Sequence, residues 1–231
     1  MKSLFAAFCA LLLAAAPAAA AERRFIVTDF DEIELAGPYR VTLVTGRAPS
    51  AVAAGSREAL ERVSIEVEGK VLRIKPRRSG WGGYPGENAG PLAIALTGHE
   101  FREGRLTGPG ILSIDRARGP RLQLVVKGTG RIEIGEVAAE RVALGIVGAG
   151  AIALGGQAEE IEAKIYGAGN LEAEGLTAQR AEIDAATAGA VTLAVTAEAR
   201  VRSRGSGDVA ILGDPACRVD IEGLGQIYCG S

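Results

Sequence analysis

Aromatic side chains make up only 4% of this 231-residue chain, with a single tryptophan, and histidine occurs once, as His99. A core built from rings is therefore excluded, and aliphatic side chains must fill the interior. One histidine with no cysteine or second histidine near it offers no zinc-type ligand set, so no metal site is expected and His99 reads as a surface-loop residue. An excess of one charge sign is also missing. Lys and Arg number 26 and Asp and Glu 28, so nothing marks nucleic-acid binding and none is expected. Long apolar runs are absent beyond the first residues. No later segment reaches the roughly 20 residues that span a bilayer.

The first residues are the exception. Met1 and Lys2 precede an apolar run from Leu4 to Ala16, then Pro17 and a string of alanines to Ala21. A cationic start, a short apolar centre and small residues before a cut form a secretory signal. Cleavage is expected after Ala21, with Ala19 and Ala21 as the small pair. Cys9 does not read as a lipoprotein cysteine, because Phe8 stands where a small residue is needed. The expected destination is outside the cytoplasm: the periplasm, the cell surface or the medium.

Glycine, with 32 residues, is plentiful and periodic. A Gly-x-Gly triplet or close variant starts at Gly108, Gly128, Gly148, Gly167, Thr187, Gly205 and Gly223, in steps of 20, 20, 19, 20, 18 and 18 residues. A fixed period near this length marks stacked structural units. Four residues after each start stand Leu112, Ile132, Ile152, Leu171, Val191, Val209 and Ile227. Six after stand Ile114, Ile134, Leu154, Ala173, Leu193, Ile211 and Cys229. Before the turns the alternation runs backwards through such residues as Val126, Ile146, Ile165 and Ile221, and Leu124, Leu144, Ile183, Val201 and Val219; Ser203 breaks it. Period two means strands with one buried face. The pattern predicts an all-β, right-handed parallel β-helix-like solenoid. Each unit is a strand, a glycine turn, a second strand and a short connector such as 155–158, and stacked units share one core. Lys164, Asp184, Arg202 and Asp220 hold one outward position on successive units and alternate in sign, which supports this register.

Residues 22–107 are less regular and are expected to cap one end of the repeats at 108–231, as one continuous unit over 25–230. Ile33, Leu35, Val41 and Leu43 flank Gly37-Pro38 like a degenerate repeat. Val63, Ile65 and Val67 with Leu72 and Ile74 suggest a hairpin about Gly69. Residues 77–90 form a glycine-rich loop.

The opening Phe30-Asp31-Glu32-Ile33-Glu34-Leu35-Ala36-Gly37-Pro38-Tyr39-Arg40-Val41-Thr42-Leu43, together with Gly205-Ser206-Gly207-Asp208-Val209 and its upstream variants, resembles the bacterial auto-transporter adhesin head GIN-domain family. The resemblance covers residues 25–230 and implies a right-handed β-helix-like fold outside the cytoplasm. It implies no chemistry. The membrane-anchoring segment of a true auto-transporter is not recognisable here.

No catalytic residue and no cofactor are expected. Gly148-Ala149-Gly150-Ala151-Ile152-Ala153 fits a dinucleotide-binding pattern, but that pattern needs a helix next, and period-two alternation follows. Five after each start stand Ser113, Glu133, Ala153, Glu172, Thr192, Ala210 and Tyr228. Glu133 and Glu172, two layers apart, have a separation near the inverting range, but no acid or base lies between them and they read as solvated surface residues. Asp208 lacks the nonapeptide spacing of calcium-binding β-helices. Cys217 and Cys229, both inward in this register, either close a disulfide pinning the last coil or remain two buried thiols.

Two surfaces are candidates for binding. Trp81 and Tyr84, with Arg77 and Arg78, suit a glycan or a protein partner. Val125, Ala143, Gly145, Val147, Ala149, Ala151 and Ala153 form a smooth outward belt for a second copy or another partner. The expected function is an exported, non-catalytic binding or structural module, contributing adhesin-like envelope or surface interactions with a protein or glycan. The alternative is a carbohydrate-active β-helix enzyme, a polysaccharide lyase or hydrolase.

Overall fold

A computed structural model describes residues 21–77 and 91–230. The elements are β1 (Ala21–Phe25), β2 (Glu32–Ala36), β3 (Tyr39–Val44), β4 (Ser50–Gly55), α1 (Arg57–Arg62), β5 (Val63–Glu68), β6 (Val71–Pro76), β7 (Leu92–Thr97) and β8 (Glu103–Thr107). They continue with β9 (Ile111–Gly128), β10 (Arg131–Gly148), β11 (Ala151–Gly167), β12 (Asn170–Thr187), β13 (Val191–Ser203), β14 (Val209–Leu212), β15 (Ala216–Ile221) and β16 (Ile227–Cys229). All sixteen strands belong to one sheet wound into a β-solenoid.

The repeat register is observed directly. Leu112 pairs with Ile132, Ile132 with Ile152, Ile152 with Leu171, Leu171 with Val191, Val191 with Val209 and Val209 with Ile227, all in parallel. Their side chains, from Leu112 through Val209, are buried in one continuous aliphatic core. Burying such a side chain is worth about 1.5–3 kcal/mol, and the stack repeats that gain at each rung. A single rung has no face to bury against, which is why the units fold only as a pile.

The connectors differ from expectation. Residues 155–158 are not a loop: they lie inside β11, all paired with β12 and 156–158 with β10 as well. β9 and β10 keep one register straight through this region, and register shifts appear only where rungs differ in length, as between Ile134 and Val137 and between Ala153 and Gly155. Two successive outward residues, Asp115 and Arg116, Gly135 and Glu136, or Glu174 and Gly175, change the phase of burial, so that Ala117, Val137 and Leu176 also turn inward. Alternation carried straight through the connector misses these positions.

The glycines of the turn serve two needs. Gly148 has φ +114°, which L side chains rarely adopt. Gly207 does not; there a Cβ would lie 1.9 Å from the Gly189 carbonyl oxygen of the rung beneath. Consecutive turns are tied by backbone bonds such as Ala149 N to Gly128 O and Ala168 N to Gly148 O. Where the turn ladder lacks a backbone acceptor, side chains supply it. Asn170 Oδ1 accepts from Ala190 N (2.8 Å), and Asp208 Oδ1 accepts from Gln226 N (2.9 Å). The aspartate of Gly-Ser-Gly-Asp is thus engaged in closing the next turn.

The N-terminal part both joins and caps the column. β2 and β3 form a rung beside β8 and β9, with Leu35 against Leu106 and Val41 against Leu112. A further rung, β6 and β7, lies on the opposite side of β2 and β3. Rung order therefore departs from chain order here. The β5–β6 hairpin about Gly69 is present, and β4 on β7 and β1 on β4 are antiparallel too. The short helix α1, begun by Ser56 accepting from Ala59 N, adds buried Ala59 and Leu60.

The last rung corrects two inward assignments. Val219 and Ile221 are 42% and 51% exposed. They follow the register, pairing with Val201 and Ser203, but no described residue lies over them. Cys217, also exposed, is disulfide-bonded to partly buried Cys229, with Cα atoms 6.5 Å apart.

Candidate functional site

One outward column runs the length of the molecule. In spatial order it reads Arg73, Glu34, Arg105, Val125, Gly145, Lys164, Asp184, Arg202 and Asp220. Signs alternate at both ends. Glu34 accepts from Arg73 (2.8 Å) and Arg105 (3.0 Å), and Arg202 pairs with Asp220 (3.1 Å). The Arg73 guanidinium, ahead of Arg105, holds the Glu34 carboxyl below its usual range. Lys164 and Asp184 are adjacent but find other partners: Lys164 meets Glu162 and Asp184 meets Arg204.

The charges stop at Val125 and Gly145. Around this gap lie Ala143, Val147, which is 50% exposed, and Tyr166, paired with Val147 and 39% exposed. The result is a small apolar window in a charged ladder. Val125, Ala143, Gly145 and Val147 share it. Ala149 lies in the glycine turn, while Ala151 and Ala153 stand beyond it on another face, so the residues read as one belt divide between two faces. Tyr166 was hidden from sequence because it occupies the outward position just before a triplet, where the other units carry Lys127, Val147 and Ala186.

The second feature lies around Ala151 and Ala153. Glu133, Ala153 and Glu172 occupy one column. Arg131, from the neighbouring column, crosses into it. Its Nε donates to Glu133 Oε1 (2.5 Å), and its two Nη atoms donate to Glu172 Oε1 (2.9 Å) and Oε2 (2.6 Å). This corrects the expectation that nothing charged intervenes between the two glutamates: the cation comes from the adjacent column. The shallow groove here is also lined by Thr42, Ser113, Asp115 and Glu174. Asp115 is itself engaged, accepting from Thr45 N and Oγ1. Hydrogen bonds from Arg131 hold Glu172 below the usual glutamate range, against the opposing effect of its partial burial. Both carboxylates are thus engaged on one guanidinium.

The other sequence candidates fall as follows. Arg77 is exposed at the edge of β6, with its N–H on Arg62 O. Arg78, Trp81 and Tyr84 lie outside the described residues. β6 ends and β7 begins where the adjoining rung carries the Gly37 turn. His99 is exposed, with Nδ1 2.9 Å from Asp29 Oδ1. Gly148-Ala149-Gly150 leads into strand β11, so the helix that would hold a dinucleotide pyrophosphate is absent at that point.

Comparison with known proteins bears on this surface. The family model described as "Putative auto-transporter adhesin, head GIN domain" matches residues 29–215. Among curated proteins no sequence match is found. Among solved structures, a "putative adhesin" from Bacteroides fragilis has a TM-score of 0.83 at 20% identity, over 92% of this chain and 97% of its own. A "Putative lipid binding protein" from Parabacteroides distasonis has a TM-score of 0.71 at 19% identity, over 93% and 98%. A "putative adhesin" from Parabacteroides merdae has a TM-score of 0.66 at 14% identity, over 93% and 97%. At these identities the likeness is one of fold.

Proposed function

Because the chain belongs to the auto-transporter adhesin head GIN-domain family, we propose that it serves as an exported, non-catalytic binding module of the cell envelope or surface. The observation that carries this reading is the Arg131 clamp. There two carboxylates and a cation satisfy one another, as Arg105 does with Glu32, Glu34 and Glu103 elsewhere on the surface, which suits a rigid, evenly charged surface better than a reaction centre. The disulfide between Cys217 and Cys229 fits an oxidising compartment, and no described helix is long and apolar enough to cross a membrane.

Binding falls to the departures from the regular surface. Trp81 and Tyr84, with Arg77 and Arg78, offer rings and cations to a glycan or a protein. The apolar window at Val125, Gly145, Val147 and Tyr166 offers a second, ring-bearing contact.

The test is a screen of the oxidised protein against arrayed glycans and envelope proteins. Each glycan is also incubated in solution and followed for new reducing ends and unsaturated uronides. Retention of a ligand without breakdown, weakened at least tenfold by Trp81→Ala, is expected. Breakdown that vanishes in Glu133→Gln or Glu172→Gln would replace this reading with the enzymatic one.

A further inference from the structure

The two ends of the column are unlike. Beyond the rung of β6 and β7, the antiparallel strands β1, β4 and β5 and helix α1 cover one end. At the other end, among the described residues, β15 pairs only with β13 and β16 only with β14. Val219, Ile221 and Cys217 carry the inward register of the core to a surface that no described residue covers, and Leu224 beside them is 91% exposed. An unpaired strand edge with apolar side chains is a template for another strand.

The edge has a definite polarity. Glu222 N donates to Ser203 O, back into the column. Peptide groups alternate along a strand, so Cys217, Val219 and Ile221 direct their N–H and C=O groups away from β13. Arg218 and Asp220 direct theirs toward it. An antiparallel partner can bond only to the first set.

The charges on this edge are complementary to themselves. Arg218 stands beside Arg200, a like charge, and has no ion pair among the described residues. Asp220 is bound by Arg202 on one side only.

We propose that two copies of this chain associate end to end, pairing β15 antiparallel with its counterpart about a two-fold axis through Val219. In that register Val219 meets the partner subunit's Val219 and Cys217 meets the partner subunit's Ile221. These are the hydrogen-bonded pairs, as the edge polarity requires. Arg218 then faces the partner subunit's Asp220 as a non-hydrogen-bonded pair, the kind whose side chains approach more closely. One register thus satisfies the free backbone groups, extends the apolar core and gives Arg218 its carboxylate. Sliding the two-fold to Arg218 or Asp220 would keep bonding groups facing one another but set like charges against each other on the axis. The interface is isologous and closes at two copies. It is separate from the apolar window, which stays free for other partners.

Sedimentation and native mass spectrometry of the full chain, expressed with its own leader and purified oxidised, test this directly. The wild type is expected as a dimer at micromolar concentration. Val219→Lys sets two cations on the axis and should give monomer. Arg218→Glu makes the edge wholly acidic and Asp220→Lys makes it wholly basic, so each alone should be monomeric. Mixed in equal amounts, they should form a heterodimer. These two changes are on exposed side chains and keep the test open if Val219→Lys fails to fold. A monomeric wild type overturns the proposal. So does a dimer that survives all three substitutions, or a mixture of the two charge variants that stays monomeric.

Discussion

Arg131 reaches Glu172 two rungs along the column, with both Nη atoms on its carboxylate. It can do so because Ala153, between Glu133 and Glu172, leaves the intervening position low. The three side chains therefore act as a staple across β10, β11 and β12. Surface ion pairs contribute little individually, and Glu172 is 45% exposed, so Arg131→Ala is expected to cost about 1 kcal/mol. The more telling readout is the Glu172 titration, followed by NMR. Its midpoint should rise into the ordinary glutamate range in the variant.

Acid stability should follow from the same pairs. Asp29, Glu34 and Glu172 are held below their ordinary values, chiefly by hydrogen bonds from Lys70, Arg73 and Arg131 respectively. A depressed carboxyl releases its proton more readily folded than unfolded. Its contribution is present above the ordinary carboxylate range and is lost as pH falls through the lower folded value. Glu103 opposes them, because burial raises its pKa and its penalty is relieved on acidification. The depressed groups outnumber it, so the melting temperature is expected to fall as pH drops below about 4.5, the ordinary glutamate value. Arg131→Ala should flatten that fall.

The stacked core offers a sharper perturbation. Ile152 is fully buried between Ile132 and Leu171. Ile152→Ala should cost about 3 kcal/mol in denaturant unfolding, from lost transfer energy plus a cavity. Ala151→Ser, one residue away and outward, should change stability by less than about 0.5 kcal/mol. Equal effects at the two sites would contradict the observed register.

Glycines within one fold should differ by what lies above them. At Gly207 an added methyl meets the Gly189 carbonyl oxygen at 1.9 Å, whereas at Gly145 it meets Val125 Cγ2 at 3.7 Å. Gly207→Ala is expected to destabilise by about 3 kcal/mol, as overpacking does. Gly145→Ala should be neutral or stabilise by about 0.5 kcal/mol through the unfolded chain. Thermal melts of the two variants, side by side, are the check.

Reduction should act locally. The Cys217–Cys229 bond spans a separation of 12 residues, a loop whose closure is worth about 3 kcal/mol. Reduced protein should show faster hydrogen exchange over residues 214–230 and unchanged protection in β10 and β11.

The repeat was legible because burial recurs at a fixed interval, and the inward residues from Leu112 to Ile211 stand where that interval puts them. What escaped has local causes. A change of phase at a corner does not show in a period-two pattern, so Val137 and Leu176 fall outside it. The full charge column was half visible. Lys164, Asp184, Arg202 and Asp220 follow chain order, but Arg73, Glu34 and Arg105 stack in an order that only the fold reveals. The Arg131 clamp was missed because reading one column at a time hides a side chain that leans into the next. Val219 and Ile221 were correctly phased and wrongly covered, since sequence periodicity says which way a side chain points and nothing about whether another rung lies beyond it.

The position of β2 and β3 has a consequence for how the molecule is made. This rung is laid down first and has neighbours on both sides, yet one of them, β6 with β7, is translated later and must be placed on the outer flank. Assembly therefore cannot run as a one-way zipper from the amino terminus. The rung first made, one in from the end of the column, gains its outer neighbour only when β6 and β7 follow it in the chain.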